Sequence, residues 1–207
     1  MKMWRHFASD FMRDYGLVPH EDIDRTMSTL GFHEASVYIS RTYPCGLSPQ
    51  QLVELWHKRL ADQYAHILEF KPGALEFLNL LHSHGVRLAL ATATDRPLIM
   101  PLLDRFGVTS LFDSILTVGE VGVRKTKPDI YLRALYALDS SLSRCVVYED
   151  VLHGIRTAKQ AGFTVYAVAD EMAQREKDKI LALADRYIIP PNYCHPALSP
   201  SEDSSMV

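Results

Sequence analysis

Hydrophobic residues recur at steps of three and four through the first third of the chain. Trp4, Phe7, Phe11 and Met12 share one helical side, and Met27, Leu30 and Phe32 continue the apolar content. Gly46-Leu47-Ser48-Pro49-Gln50-Gln51 reads as a helix start. Ser48 can cap, Pro49 suits the first helical position, and Gln51 stands where a capping box needs it. Leu52, Leu55, Trp56, Arg59 and Leu60 then give an amphipathic face. With no strand pattern in this stretch, residues 1–66 are predicted to form a helical domain.

The pattern changes at Phe70-Lys71-Pro72-Gly73, a turn signal and hinge. Beyond it helical and strand patterns alternate. Helices are predicted for Ala74 to His84, Pro97 to Phe106, Pro128 to Leu138 and Gly154 to Gly162. Strands are predicted for Val86 to Ala91, Ser114 to Val118, Cys145 to Tyr148 and Thr164 to Val168. Such alternation implies an α/β fold, a Rossmann-like parallel sheet with helices on both faces, over residues 67–195. From Pro196 the chain is rich in Ser, Pro and acidic residues, and 196–207 read as a disordered tail.

Composition narrows the function classes. Of 207 residues, 47% are hydrophobic and 23% charged, enough to bury a core. The net charge of −3 provides no basic footprint, so neither nucleic acid nor an anionic membrane is an expected partner. Cys45, Cys145 and Cys194 are far apart and form no C-x-x-C pair, which argues against a zinc ribbon and fits a reduced, cytoplasmic setting. Cys145 reads as a small buried hydrophobe. His82 and His84 lie at a helix end and read as surface residues. Arg5 and His6 fit a solvated helix face, and Trp4 and Trp56 a helical core.

In open parallel sheets ligands bind beyond the carboxyl ends of the strands. After the first predicted strand, Thr92-Ala93-Thr94 presents two hydroxyls and backbone N–H groups suited to a phosphate oxygen; the alternative is that they end a strand and cap the next helix. After the second, a loop carries Lys125 and Lys127, either of which could neutralise phosphate, or simply be solvated. After the third, Glu149 and Asp150 are adjacent carboxylates where a buried strand ends. Such a pair suits magnesium, although Asp150 could instead cap the helix near Leu152.

Together and in this order, these segments resemble the haloacid-dehalogenase superfamily, in the helical-cap subgroup that includes beta-phosphoglucomutase and small sugar-phosphate phosphatases. Leu90-Ala91-Thr92-Ala93-Thr94 is similar to its second motif. Lys125-Thr126-Lys127-Pro128-Asp129 resembles the third, and alignment on Pro128-Asp129 makes Lys125 the motif lysine. Val146-Val147-Tyr148-Glu149-Asp150, followed by Gly154 and Ala161-Gly162, resembles the fourth, with Val151 where serine is usual. The resemblance implies a magnesium-dependent phosphohydrolase acting on a small phosphorylated metabolite, with residues 1–66 as the cap. Thr92, Ala93, Thr94 and Lys125 would bind phosphate, Lys125 with a catalytic role as well, and Glu149 and Asp150 would bind Mg2+.

The family's first motif, Asp-x-Asp-Gly-Thr at the end of the opening strand, does not occur in the sequence. Asp10 and Asp14 lie in a helical pattern that matches nothing in it. The expectation is therefore a sheet without its first central strand, in a chain that begins inside the cap and is inactive as it stands. A late start or a truncated chain is preferred to an evolved loss, with a non-catalytic remnant that binds phosphate or a protein as the alternative.

Overall fold

The computed structural model describes residues 6–28 and 30–198. Trp4, Arg5 and most of the expected disordered tail lie outside the described residues. The chain divides into two compact units, Met1–Leu68 with Pro97–Leu102, and Glu69–Arg96 with Leu103–Val207.

The first unit holds α1 (Phe7–Asp14), α2 (Ile23–Ser28), α3 (Phe32–Thr42) and α4 (Pro49–Asp62), closed by a π-helical turn at Gln63–Ile67. It has no strand among the described residues. His6 provides no side-chain cap for α1; Asp24 of α2 does so instead, accepting from the Ala8 and Ser9 N–H groups at 3.1 and 3.0 Å. The α4 capping box forms as the sequence suggests. The Gln51 N–H donates to Ser48 Oγ at 3.3 Å, and the Ser48 N–H donates to Gln51 Oε1 at 2.9 Å. The helices bury Phe11, Met12, Ile39, Leu52 and Trp56 against one another. Rings of Phe7, Phe11 and Phe32 surround Trp56 at 6.4, 5.8 and 5.9 Å.

The second unit opens with α5 (Ala74–Ser83). Its cap, Gly73, has φ 75°, and a Cβ there would meet Pro191 Cβ at 2.6 Å, so only glycine fits. There follow β1 (Ala89–Thr92), α6 (Arg96–Arg105), of which Pro97–Leu102 belongs to the first unit, β2 (Ser114–Thr117), α7 (Val118–Val121), α8 (Asp129–Ala137), β3 (Val146–Glu149), α9 (Leu152–Gln160), β4 (Thr164–Val168), α10 (Lys177–Leu183) and β5 (Arg186–Ile188). All strand pairs are parallel, and the fold is α/β as the alternation predicts. The sheet comes in two pieces, β1-β2 and β3-β4-β5.

Two apolar clusters cover the strands. One gathers Ile130 and Tyr131 of α8, Ile155 and Ala158 of α9, and Val165 and Ala167 of β4, with Ala91, Leu116, Val147 and Cys145 packed against it. Burial pushes the Cys145 thiol pKa up, as for an inert core residue. The other gathers Phe77, Leu81 and Leu88, with Tyr148, Tyr193 and Leu198.

Several boundaries differ from the sequence pattern. β1 begins at Ala89 rather than Val86, because Leu88 is held in a loop: its N–H donates to the Asp113 carboxylate at 2.8 Å, and the Asp113 N–H returns to its carbonyl at 2.8 Å. β5 is too short to carry a periodicity; Asp185 fixes it by accepting from the Val165 N–H at 2.7 Å and from Lys159 at 2.7 and 2.8 Å. Pro196–Leu198, the first residues of the expected tail, wind a 3-10 turn, and Leu198 packs on the Phe77 cluster. No helix among the described residues is long and apolar enough to cross a membrane.

Ile155 is fully buried. Ile155→Ala should lower stability by about 2–4 kcal/mol in urea unfolding. Tyr136→Ala, at a position 88% exposed, should change it by no more than about 0.5 kcal/mol.

Candidate active site

Glu149 ends β3 with its carboxylate 4% exposed. A buried charge is tolerated only when donors surround it. Lys125 Nζ donates to its Oε2 at 2.7 Å, the Tyr131 hydroxyl donates to the same oxygen at 3.0 Å, and the Asp150 N–H donates to Oε1 at 3.3 Å. The lysine comes from the loop after β2 and the tyrosine from the first turn of α8. Burial alone would raise the Glu149 pKa, but Lys125, Tyr131 and the Asp150 N–H outweigh it and hold the carboxyl below its usual range. Burial and the neighbouring carboxylate push the Tyr131 phenol well above its ordinary value, so it stays a proton donor. Gly154, at the start of α9, leaves room for this cluster. A Cβ there would lie 2.7 Å from Glu149 Cδ and 2.8 Å from Tyr131 Oη.

Asp150 follows directly. It is not the cap of α9: Val151 holds that position, and no side chain caps the helix. The capping alternative for Asp150 is therefore overturned. Burial, then the charge of Glu149, raises the Asp150 pKa. The two adjacent carboxylates are thus pushed in opposite directions. The cation facing Asp150 is Lys71, 4.0 Å away. Lys71 itself is ion-paired with Asp170 and donates to the Ala169 carbonyl at 3.1 Å. Burial opposes ionisation of Asp170, but Lys71 and the Met172 N–H hold its carboxyl pKa low.

Thr92 ends β1, and its Oγ1 accepts the Thr94 N–H at 3.0 Å. That contact turns the chain through Ala93, so the Thr94 N–H expected for phosphate is already engaged by Thr92. The Thr92 hydroxyl proton remains to be donated. Lys127 is exposed, whereas Lys125 is the loop lysine that reaches Glu149.

Lys71, Tyr131 and Asp170 are the residues at this cluster to which sequence reasoning gave no role. Asp170 follows β4, so extending the strand-end rule to the fourth strand finds it. Lys71 stands in the turn read only as a hinge, and nothing local marks its partner 99 residues away.

The donor set fits magnesium as a partial site. Among the described residues no group of three or more His, Cys, Asp or Glu side chains converges to hold a metal. Magnesium, however, is commonly held by one or two carboxylates, with waters and phosphate completing its shell. Glu149 Oε1 has only a long backbone contact, and Asp150 lies near a cation without a close hydrogen bond to it. Both are free to ligate.

Comparison with known proteins matches the haloacid dehalogenase-like hydrolase family over residues 36–162. The chain belongs to that family. Protein CbbY of Rhodobacter capsulatus is 29% identical over 159 residues, covering 73% of this chain and 70% of that protein. A phosphorylated carbohydrates phosphatase of Thermotoga maritima is 27% identical over 159 residues, covering 76% and 74%. The crystal structure of CbbY from Rhodobacter sphaeroides in complex with phosphate superposes with a TM-score of 0.77 at 27% identity, covering 90% of this chain and 86% of that one.

In this family member the loops after β1 and β2 are locked together. Arg96, at the start of α6, pairs with Glu120 of α7 and donates to the Ile115 carbonyl at 2.6 Å. Glu120 also closes a capping box with Thr117. Gly119 permits the approach, since a Cβ there would stand 3.2 Å from Asp95 Oδ1. The clamp sits between the segments bearing Thr92 and Lys125.

Two outcomes follow from these contacts. Lys125→Met leaves Glu149 buried and unpaired, and should cost about 3 kcal/mol or more in denaturant unfolding, while Lys127→Met should be nearly silent. Arg96 first, with the Thr117 N–H, lowers the Glu120 pKa to about 2. Because that lies below the ordinary carboxylate value, the clamp's stabilisation is complete above about pH 4.5 and is lost as pH falls toward 2. Glu120→Gln should therefore narrow the difference in melting temperature between pH 5 and pH 2.5. Partial exposure of the pair keeps that effect small.

Proposed function

We propose that this chain provides the phosphate- and magnesium-handling half of a phosphohydrolase site for a small phosphorylated sugar. The observation that carries the reading is the convergence of Lys125 on Glu149, with Asp150 adjacent, at the carboxyl ends of the parallel strands. The names of the relatives support the substrate class. One is a phosphorylated carbohydrates phosphatase, and one CbbY structure holds xylulose-(1,5)-bisphosphate.

In this reading the Thr92 hydroxyl donates to one phosphoryl oxygen while the Thr94 N–H fixes its direction. Lys125, held by Glu149 and Tyr131, neutralises a second oxygen and keeps it oriented. Glu149 and Asp150 would hold Mg2+, which supplies charge neutralisation of the phosphate when bound. Burial and the charge of Glu149 raise the Asp150 pKa, and a bound cation would offset both.

None of these groups attacks phosphorus. The attacking carboxylate comes, in this proposal, from a strand outside these 207 residues, since no Asp-x-Asp-Gly-Thr run lies within them.

The test is an assay of this chain with p-nitrophenyl phosphate and magnesium, alongside Mg2+ titration by calorimetry. The expected results are no turnover, and Mg2+ binding in the presence of phosphate that Asp150→Asn weakens about tenfold or more. Turnover abolished by Asp150→Ala would place the nucleophile within the chain. Failure to bind Mg2+ with phosphate would overturn the reading.

A further inference from the structure

Lys71 and Asp170 have no part in the phosphate and magnesium roles proposed above, yet both stand against that cluster. Lys71 reaches the residues just beyond β3 and β4 from an anchored backbone. The Ala74 N–H donates to its carbonyl at 3.0 Å, closing the turn that starts α5, and the nearby Gly73 lies tight against Pro191. The Lys71 ammonium is ion-paired with Asp170, donates to the Ala169 carbonyl at 3.1 Å, and stands 4.0 Å from Asp150 Oδ2. That last separation is too long for a hydrogen bond but short enough for the charge to be felt.

Asp170 is held from two sides. Its carboxylate is 5% exposed. One oxygen accepts the Met172 N–H at 2.8 Å, which caps the 3-10 turn Glu171–Glu176, and the other takes Lys71. Lysine, by contrast, carries its charge on a flexible four-carbon stem, so Lys71 can change partner without moving its backbone. Lys125 is placed differently. It donates to Glu149 at 2.7 Å and lies over the Tyr131 ring at 5.8 Å.

From this arrangement we infer that Lys71 competes with a divalent cation for the Asp150 carboxylate, and that Asp170 draws the lysine aside. The Lys71–Asp170 pair therefore sets the cation affinity of the site. It is a positioning pair, with no contact to phosphate or to reacting atoms. An ammonium 4.0 Å from a ligand oxygen opposes any cation bound there. Because Asp170 and the Ala169 carbonyl both accept from it, the ammonium stays hydrogen-bonded without Asp150. With Asp170 removed, Asp150 becomes the carboxylate within its reach, and the lysine takes the place a cation needs. The inference rests on the magnesium role proposed for Glu149 and Asp150, and adds a control on it from within the chain.

The experiment is calorimetric Mg2+ titration of the full chain with saturating inorganic phosphate at constant ionic strength. It compares the wild type, Lys71→Met, Asp170→Asn and the double variant. Lys71→Met should bind Mg2+ about tenfold more tightly, and Asp170→Asn about tenfold more weakly. Both single variants should lower the melting temperature of the metal-free protein, so a shared loss of structure does not explain opposite shifts in affinity. In the Lys71→Met background, Asp170→Asn should weaken binding by no more than about twofold, because no ammonium remains to move onto Asp150. Should Lys71→Met fail to fold, the double variant is compared with Asp170→Asn and should bind about tenfold or more tightly than it. An equal effect of Asp170→Asn in both backgrounds would reduce Asp170 to a distant charge and overturn the inference. So would removal of Lys71 that leaves Mg2+ binding no tighter, in which case the magnesium role itself stands. Absence of Mg2+ binding from all four proteins would sink that role and the inference with it.

Discussion

The buried carboxylate of Glu149 is the constraint around which the second unit is organised. It cannot stay charged without Lys125 and Tyr131, and those groups arrive from the β2 loop and from α8. A single demand for electrostatic compensation therefore ties the end of β3 to the other half of the sheet. It does so where strand pairing does not. Gly154 is part of the same demand, because any side chain there would displace the carboxylate or the phenol.

Around that centre, charges of both signs are nearly matched. Glu149, Asp150 and Asp170 face Lys71 and Lys125, which leaves the group one positive charge short. The deficit falls on Asp150, the member with the weakest partner and the raised pKa. Every other carboxylate of the group is already paired. The Arg96–Glu120 clamp performs a different task. It lies outside the charge cluster and fixes the spacing of the loops that bear Thr92 and Lys125.

Much of this was legible in the sequence because the informative residues are local signals. Ser48 and Gln51 announce a capping box within four residues, and Thr92, Lys125, Glu149 and Asp150 each lie at or beyond the carboxyl end of an apolar strand. What escaped is what depends on distant partners. Lys71 has meaning only beside Asp170, and β5 is a strand only because Asp185 and β4 hold it. The place of Asp150 relative to α9 needed the structure for the opposite reason. Its local pattern supports a helix cap equally well, and only the backbone shows Val151 in that place.

The contact between Tyr148 and the segment after β5 sets a limit for protein engineering. The Tyr148 hydroxyl donates to the Cys194 carbonyl at 2.6 Å, while Tyr193 stacks on Phe77 at 5.1 Å. This last stretch is thus a strap across the α5 face of the sheet, fastened through β3. A fusion or label attached beyond Leu198 leaves the fastening intact. Trimming the chain back past Tyr193 would strip one wall from the core and expose the Phe77 cluster to water.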